Sequence, residues 1–287
     1  MPDPALLTLL LIFVLALTFD FINGFHDAAN AIATCVSTRV LSPRAAIGMA
    51  AILNFVGALS GTAVAKTVGA GLVQPESVTQ ATIVAALLAA IIWDLVTWYY
   101  ALPTSSSHAL IAGVVGAALA SAGPQALLWG GLEKVLLALF FSPILGFICG
   151  LTLMVFLLWA FRWATPAEVG GIFRNLQILS AAFMAFSHGN NDAQKTMGIM
   201  TMALVVYGAI AEFRVPIWVM VLAAISMGLG TAAGGWRIIR TMGHKLVALK
   251  PIHGFAAETS AATVIELASR FGFPLSTTHE SAPPSWE

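Results

Sequence analysis

Long uncharged stretches of this sequence are separated by short polar breaks. Four of the stretches occupy residues 5–19, 45–65, 135–161 and 215–236. A helix needs about 20 apolar residues to cross a bilayer. The apolar residues run continuously instead of alternating at the period of two that barrel strands require. The pattern therefore predicts an all-α fold, a polytopic helical bundle that spans a membrane.

Two spans contain a polar break. The sequence NGFHDAAN, residues 23–30, interrupts the first apolar run, and HGNNDAQK, residues 188–195, interrupts the run 175–211. An aspartate at membrane depth costs about 2.5–3.5 kcal/mol on the insertion scale, so it indicates function by default. We predict a discontinuous helix at each break. The aligned pairs that the two breaks share are Gly24 with Gly189, Asp27 with Asp192, and Ala28 with Ala193.

A second pair of motifs occurs in the same order. The apolar run 78–102 ends in PTSSSH at 103–108, and the run 251–273 ends in PLSTTH at 274–279. An apolar half-helix, 109–120, follows the first motif, which predicts a re-entrant hairpin with PTSSSH at its tip. Asp27 precedes the histidine of its motif by 81 positions and Asp192 precedes its own by 87.

The matched motifs divide the chain into two repeats. Residues 1–161 form the first repeat with a connecting span, and residues 162–287 form the second. Basic residues mark cytoplasmic loops, and those of this chain place the repeats in opposite orientations. Inverted repeats with broken helices are typical of secondary transporters, whose site lies at the membrane midplane. Only ESAPPSWE follows His279, so we expect the second repeat to be incomplete at its C-terminus.

Composition agrees with a membrane protein. The chain is 59% hydrophobic and 9% charged, against roughly 25% charged residues in soluble domains. Its 13 basic residues balance 13 acidic ones, which leaves no basic surface for nucleic acid. Cys35 and Cys149 lie in apolar context and are predicted to be buried hydrophobes. No positive region precedes the first apolar run, which therefore indicates a retained helix and not a cleaved signal peptide.

The residue types around the breaks indicate an oxyanion site beside a cation site. Hydroxyl donors before a half-helix suit a tetrahedral anion, because helix N-termini attract anions. Carboxylate and amide oxygens suit a small cation such as Na⁺, or a proton. The predicted anion ligands are Ser105, Ser106, Ser107, Ser276, Thr277, Thr278, Asn30 and Lys195. The predicted residues for the coupling cation are Asp27, Asp192, Asn23, Asn190, Asn191 and Glu258, with Na⁺ at the two aspartates.

At these motifs the chain resembles the PiT family of inorganic phosphate transporters. The matching pieces are NGFHDAANAIAT, SHGNNDAQKTMG, GFAAETSAA, PTSSSH and PLSTTH. The resemblance implies symport of inorganic phosphate with Na⁺ or H⁺ across the cytoplasmic membrane by a multi-pass protein that is not an enzyme. It implies that Asp27 and Asp192 match the family's essential aspartates, and that Glu258 matches an acid important for transport. The two hydroxyl-rich motifs match the phosphate-binding hairpin tips.

Simpler interpretations stand beside these. Each aspartate could be a helix N-cap, and the hydroxyl clusters could join helices to one another. Lys195 could be a local partner of Asp192 instead of a phosphate contact. Four histidines, His26, His108, His188 and His279, could ligate a metal, but orienting the aspartates or serines is the preferred role.

Two rival functions remain at this level. One is an intramembrane hydrolase that would use a serine and a histidine. Two features of the chain argue against it: the sequence has no G-x-S-x-G motif, and Ser107 and His108 are adjacent, so their side chains would point apart on a helix. The other is a non-transporting fragment or regulatory membrane subunit of the same fold, suggested by the short second repeat. The sequence leaves open the coupling ion, a homodimer, and whether phosphate travels free or as a divalent-metal complex.

Overall fold

The computed structural model describes residues 3–234, residue 238 and residues 249–278, and within these ranges it contains ten α-helices. They contain no β-strand, only an isolated bridge between Val73 and Leu127. Two short 3₁₀ turns lie at Pro75–Ser77 and Pro124–Ala126. The helices are α1 (Pro4–His26), α2 (Ala28–Ser37), α3 (Pro43–Ala58), α4 (Ala63–Ala70), α5 (Gln80–Tyr99), α6 (Ser106–Ala122), α7 (Trp129–Ala160), α8 (Pro166–Tyr207), α9 (Ile217–Ala233) and α10 (Pro251–Arg270).

Four described segments are long and apolar enough to cross a membrane. They are Pro4–Ser37, Gln80–Tyr99, Trp129–Ala160 and Pro166–Tyr207, and the bent pair α3–α4 adds a fifth if it is one span. The prediction of an all-α membrane bundle is confirmed. α7 is one helix that runs through Pro143. Many of its large apolar side chains, such as Phe140 and Leu136, are exposed on the outside of the bundle, where a bilayer would cover them.

Helix α8 is the centre of the bundle. It packs against α1, α2, α3, α4, α5, α9 and α10. Every residue from 187 to 204 is buried, as expected of a helix surrounded by others on all sides. A capping box between Thr165 and Glu168 begins the helix, and Gly208, in the left-handed conformation, ends it.

The predicted break at Asp27 is confirmed. Helix α1 ends at His26 and α2 begins at Ala28, with Asp27 between them at φ −95° and ψ 2°. The side chain of Asp27 makes no capping hydrogen bond to α2. Its carboxylate is therefore not used as an N-cap and points to other partners.

The predicted break at residues 188–195 is wrong, because α8 continues through the whole motif. The polar side chains of this motif find partners on neighbouring helices, and Gln194 also donates to the backbone carbonyl oxygen of Asn190 at 2.7 Å within α8. His188 contacts Asn54 of α3, and Asn190 donates to Glu266 of α10. Without a proline in the motif, nothing interrupts the helical hydrogen bonds.

The span predicted over 45–65 is bent where an intact helix was expected. Helices α3 and α4 meet at 72° across a short break. The side chain of Thr62 does not cap α4. Instead Gln194 of α8 accepts a hydrogen bond from the backbone N–H of Val64 at 2.8 Å. A free N–H at the start of α4 is thus satisfied by another helix, which allows the chain to turn there.

The hairpin predicted at PTSSSH is confirmed. Helices α5 and α6 pack against each other, and the chain between them includes Ala101 at a φ of 56°. Ser105 caps α6 by accepting the N–H of His108 at 3.2 Å.

Of the two cysteines, Cys35 is buried as predicted, whereas the prediction for Cys149 is wrong. Cys149 is exposed because it lies on the outward-facing α7.

Helices α3 and α8 approach each other through glycines. A Cβ placed on Gly57 would lie 2.1 Å from the carbonyl oxygen of Phe186, and one on Gly189 would lie 2.2 Å from that of Asn54. Both distances are far below van der Waals contact. The close approach of the two backbones brings the polar residues of α8 next to Asn54.

We predict that Gly57→Ala destabilises the protein, because the new methyl group would push α3 away from α8. Overpacking costs about 1–3 kcal/mol. Gly48→Ala on the same helix is the matched control, since a Cβ there has no neighbour within 4 Å and alanine favours the helix. Thermal unfolding in detergent should show a lower Tm for Gly57→Ala only. Equal Tm values for the two variants would contradict the close packing.

Candidate functional site

The two hydroxyl-rich motifs meet in the interior. The hydroxyl of Thr278 donates to the carbonyl oxygen of Thr104 at 3.2 Å, which joins the tip after α10 to the tip before α6. Asn30 of α2 donates from Nδ2 to Oγ1 of Thr278 at 3.0 Å and of Thr277 at 3.4 Å. All six predicted hydroxyl residues are buried, namely Ser105, Ser106, Ser107, Ser276, Thr277 and Thr278.

Lys195 connects the tips to Asp192. Its ammonium is 2.5 Å from Oδ1 of Asp192, donates to Oγ of Ser107, and donates to the carbonyl oxygen of Leu275 at 3.0 Å. The side chain is 1% exposed. Lys195 is therefore a partner of Asp192, and it also touches both tips, so a phosphate contact stays a prediction.

The two aspartates lie side by side. Asp27, His188 and Asp192 each offer a ligand atom, and these atoms are within 4.8 Å of one another. Hard cations have oxygen ligands at about 2.3–2.6 Å, so carboxylate oxygens of Asp27 and Asp192 at this spacing can share one ion, with a ring nitrogen of His188 beside it. Asn23 donates to Oδ2 of Asp192 at 3.4 Å, and Ser106 donates to Oδ1 of Asp27 at 3.5 Å.

The histidines have different positions around this group. His26 contacts Oδ1 of Asp27 through Nδ1 at 2.7 Å and Oγ1 of Thr97 through Nε2 at 3.1 Å. These contacts suit a residue that orients Asp27, and this role stays a prediction. His188 is 3.6 Å from Asp192 through Nε2 and belongs to the candidate cation group itself. His108 is half-buried and contributes its backbone N–H to Ser105. His279 lies outside the described residues.

The asparagines after Gly189 contact other groups than the aspartates. Asn190 donates to Glu266 at 2.9 Å. Asn191 donates to Ser269 at 2.7 Å and accepts the backbone N–H of Leu275 at 3.2 Å. Asn191 therefore holds the segment that leads to the second tip. For both residues the hydrogen bonds indicate a positioning role, and cation ligation stays a prediction.

Glu258 lies in a separate buried cluster. It accepts hydrogen bonds from the hydroxyls of Thr34 and Ser180, and from Nε2 of Gln177 at 3.3 Å. Gln177 also accepts a hydrogen bond from Thr38 at 2.8 Å. The cluster joins α2, α8 and α10. Its contacts are with oxygen-bearing side chains and not with the two aspartates.

Several residues of these networks carry no motif and were missed in the sequence. Asp20 of α1 is buried and accepts a hydrogen bond from Thr196 of α8 at 2.9 Å. Asn54 holds His188, and Thr97 holds His26. The only signal was a single polar residue within an apolar helix, which does not say which neighbour it faces.

Buried carboxylates, an ammonium and neutral donors inside a bundle of membrane-length helices are typical of membrane transport proteins. The sequence profile of the phosphate transporter family matches residues 23–282, and the chain belongs to this family. The resemblance inferred from the motifs is thereby confirmed, as is the expectation that the protein is not an enzyme.

Relatives agree over most of the chain. It is 47% identical over 280 residues to a probable low-affinity inorganic phosphate transporter of Bacillus subtilis strain 168, covering 96% of this chain and 84% of the relative. It is 49% identical over 266 residues to a protein of the same description from Rhizobium meliloti strain 1021, covering 92% and 80%. A solved structure titled the sodium-dependent phosphate transporter has the same fold, with a TM-score of 0.90 at 24% identity, covering 96% of this chain and 87% of that one.

We predict that Lys195→Met strongly destabilises the protein, because it leaves the Asp192 carboxylate buried without its ammonium. Breaking a buried ion pair from one side costs about 3–5 kcal/mol. The double variant Lys195→Met/Asp192→Asn removes both charges and should recover a large part of the loss. Thermal unfolding in detergent measures both variants. A Tm for Lys195→Met equal to that of the wild type would show that the pair is not formed.

Proposed function

We propose that this protein takes up inorganic phosphate across the cytoplasmic membrane by symport with a cation, Na⁺ or H⁺. The observation that carries the proposal is the hydrogen bond between Thr278 and Thr104, which brings the two hydroxyl-rich tips together in the interior. Asp27, Asp192 and Lys195 are buried beside these tips. Membership of the phosphate transporter family and the names of the two relatives support phosphate as the substrate.

The tips offer donors of the kind that a phosphate anion needs. Ser106 and Ser107 form the first turn of α6, where backbone N–H groups have no partner within the helix and attract anions. The hydroxyls of Thr277 and Thr278 lie on the other tip, and Nδ2 of Asn30, on α2, contacts both of them. Most of these donors are neutral, so phosphate is held by many moderate hydrogen bonds and can be released on the other side.

Charge balance gives the reason for coupling. Asp27 and Asp192 outnumber the one ammonium of Lys195 in this buried group. An entering phosphate anion adds more negative charge, and burying uncompensated charge costs several kcal/mol per ion. Cations that enter with phosphate remove this cost. Asp27, His188 and Asp192 are the residues that we propose for the first cation, on the basis of their mutual spacing.

We propose Glu258 as a second position that responds to the coupling cation. It is buried and accepts hydrogen bonds from the hydroxyls of Thr34 and Ser180 and from Nε2 of Gln177. Its hydrogen-bond partners Thr34, Gln177 and Ser180 are not those of the two aspartates, which allows a separate step of cation binding or release. The two repeats, 1–161 and 162–287, would then move against each other about the tips.

We predict saturable phosphate uptake into proteoliposomes that depends on an inward gradient of Na⁺ or of protons. Asp27→Asn and Asp192→Asn should each lower uptake to the background of empty vesicles, because the carboxylate can no longer balance the cation. Glu212→Gln, at an exposed position between α8 and α9, is the control and should transport like the wild type.

Separate Na⁺ and proton gradients identify the coupling ion, and addition of a chelator tests for a divalent-metal complex. Uptake that needs neither gradient would refute symport.

We predict that Glu258→Gln changes the cation dependence of uptake more than its phosphate dependence. The glutamine keeps the hydrogen-bonding shape within the cluster but removes the charge. Initial rates measured against cation concentration, and separately against phosphate concentration, give the two apparent KM values. The proposal requires a larger rise in the cation KM. A rise confined to the phosphate KM would place Glu258 in phosphate binding instead.

A further inference from the structure

A cavity of about 670 Å³ lies among the helices, and neither Asp27 nor Asp192 lines it. It is bounded by α4, the first turn of α7 and the end of α10. Three basic side chains line it, Lys66, Lys134 and Arg270, together with the aromatic rings of Trp129 and Phe271. We call this cavity the basic pocket.

Cations outnumber anions among the contacts of the basic pocket. Arg270 contacts Glu266 from Nε at 3.2 Å and is 71% exposed, so most of its guanidinium faces the cavity and solvent. Glu266 also accepts a hydrogen bond from Asn190, which fixes it to α8. Lys66 is exposed on α4. The pocket therefore has three basic side chains, and the Glu266 carboxylate compensates the charge of one of them.

Lys134 is held in place within the basic pocket. Its Nζ donates to the carbonyl oxygen of Phe271 at 2.8 Å and lies 4.6 Å from the centre of the Phe273 ring. The walls beside it are fixed by close backbone contact. A Cβ on Gly131 would lie 1.6 Å from the carbonyl oxygen of Gly71, so α7 can approach α4 only with glycine at this position.

The segment 271–278 connects the basic pocket to the buried tips. Lys134 binds its first residue, Phe271, and Lys195 binds Leu275, one position before Ser276. The hydroxyl of Thr67, which also lines the pocket, donates to the carbonyl oxygen of Gly272 at 2.6 Å. A charge that binds in the basic pocket therefore lies against the segment that carries half of the phosphate donors.

The basic pocket also has the features of a membrane interface. Trp129 is 68% exposed and Phe271 is 71% exposed. Exposed aromatic side chains next to basic ones are typical of the headgroup level of a bilayer, and basic pockets between membrane helices bind phosphate-bearing headgroups.

We propose that the basic pocket binds the phosphate oxyanion, as a recruitment site that is separate from the buried tips. This proposal rests on the proposed function. The bound oxyanion is either free inorganic phosphate on its way to the tips or the phosphodiester headgroup of an anionic lipid. A cleft of one charge sign raises the local concentration of an opposite charge, and the effect falls as salt increases.

The first arm of the test measures recruitment of free phosphate. The variant Lys66→Gln/Arg270→Gln removes two charges and leaves Lys134, which anchors Phe271. In vesicles of neutral phosphatidylcholine at low ionic strength, the phosphate KM should rise about tenfold with kcat unchanged, since steering by charge changes association by about 10-fold or more. The rise should disappear at high salt.

Two control variants should behave like the wild type. They are Lys66→Arg/Arg270→Lys, which keeps both charges, and Arg44→Gln on α3.

The second arm measures the lipid headgroup. Native mass spectrometry of the purified protein with phosphatidylglycerol should show retained lipid for the wild type and for the charge-keeping variant, and about tenfold less for Lys66→Gln/Arg270→Gln if the headgroup is the ligand.

The outcomes separate the alternatives. A change in KM alone identifies free phosphate, and a change in lipid retention alone identifies the headgroup. If the double glutamine variant matches the wild type in both arms, the basic pocket is not an oxyanion site. A wild-type protein without phosphate uptake would refute the proposed function, and the lipid arm alone would then decide the role of the pocket.

Discussion

The contact on which the site depends is that of the Lys195 ammonium with Asp192, Ser107 and Leu275. A buried ammonium is costly unless its charge is balanced and its donors are used. Here one carboxylate balances the charge, and a hydroxyl and a carbonyl from the two tips accept the remaining hydrogen bonds. The same ammonium thus fixes α8, the start of α6 and the segment after α10 relative to one another.

The architecture supplies the scaffold for this contact. Helix α8 stays unbroken while His188 and Asn190 of its polar motif bind side chains of α3 and α10, and Gly189 lets α3 approach closely. The break in the chain occurs at Asp27 and at the bend between α3 and α4, where Gln194 of α8 binds Val64. Continuous and broken helices therefore lie side by side at the site. The two motifs that match in sequence therefore differ in structure, because the first breaks a helix and the second does not.

The sequence predicted the features that depend on local pattern. Long apolar runs indicated α5 and α7, the PTSSSH motif indicated the hairpin tip, and the aspartate pair indicated a common buried site. What it could not predict depends on neighbours. Whether HGNND breaks a helix is decided by the partners that Asn190 and His188 find on other helices. The exposure of Cys149 is likewise set by the outward position of α7, which apolar composition alone does not reveal.

The central claim is that both hydroxyl-rich tips bind one phosphate between them, beside the aspartate pair. The most direct measurement is the anomalous signal of arsenic in crystals of the protein soaked with arsenate, a tetrahedral analogue of phosphate. The account predicts one strong peak whose arsenate oxygens lie about 2.5–3.2 Å from donors of both tips, including Ser107 and Thr277. An arsenate bound to one tip alone, or strong peaks only at a distance from both, would contradict it.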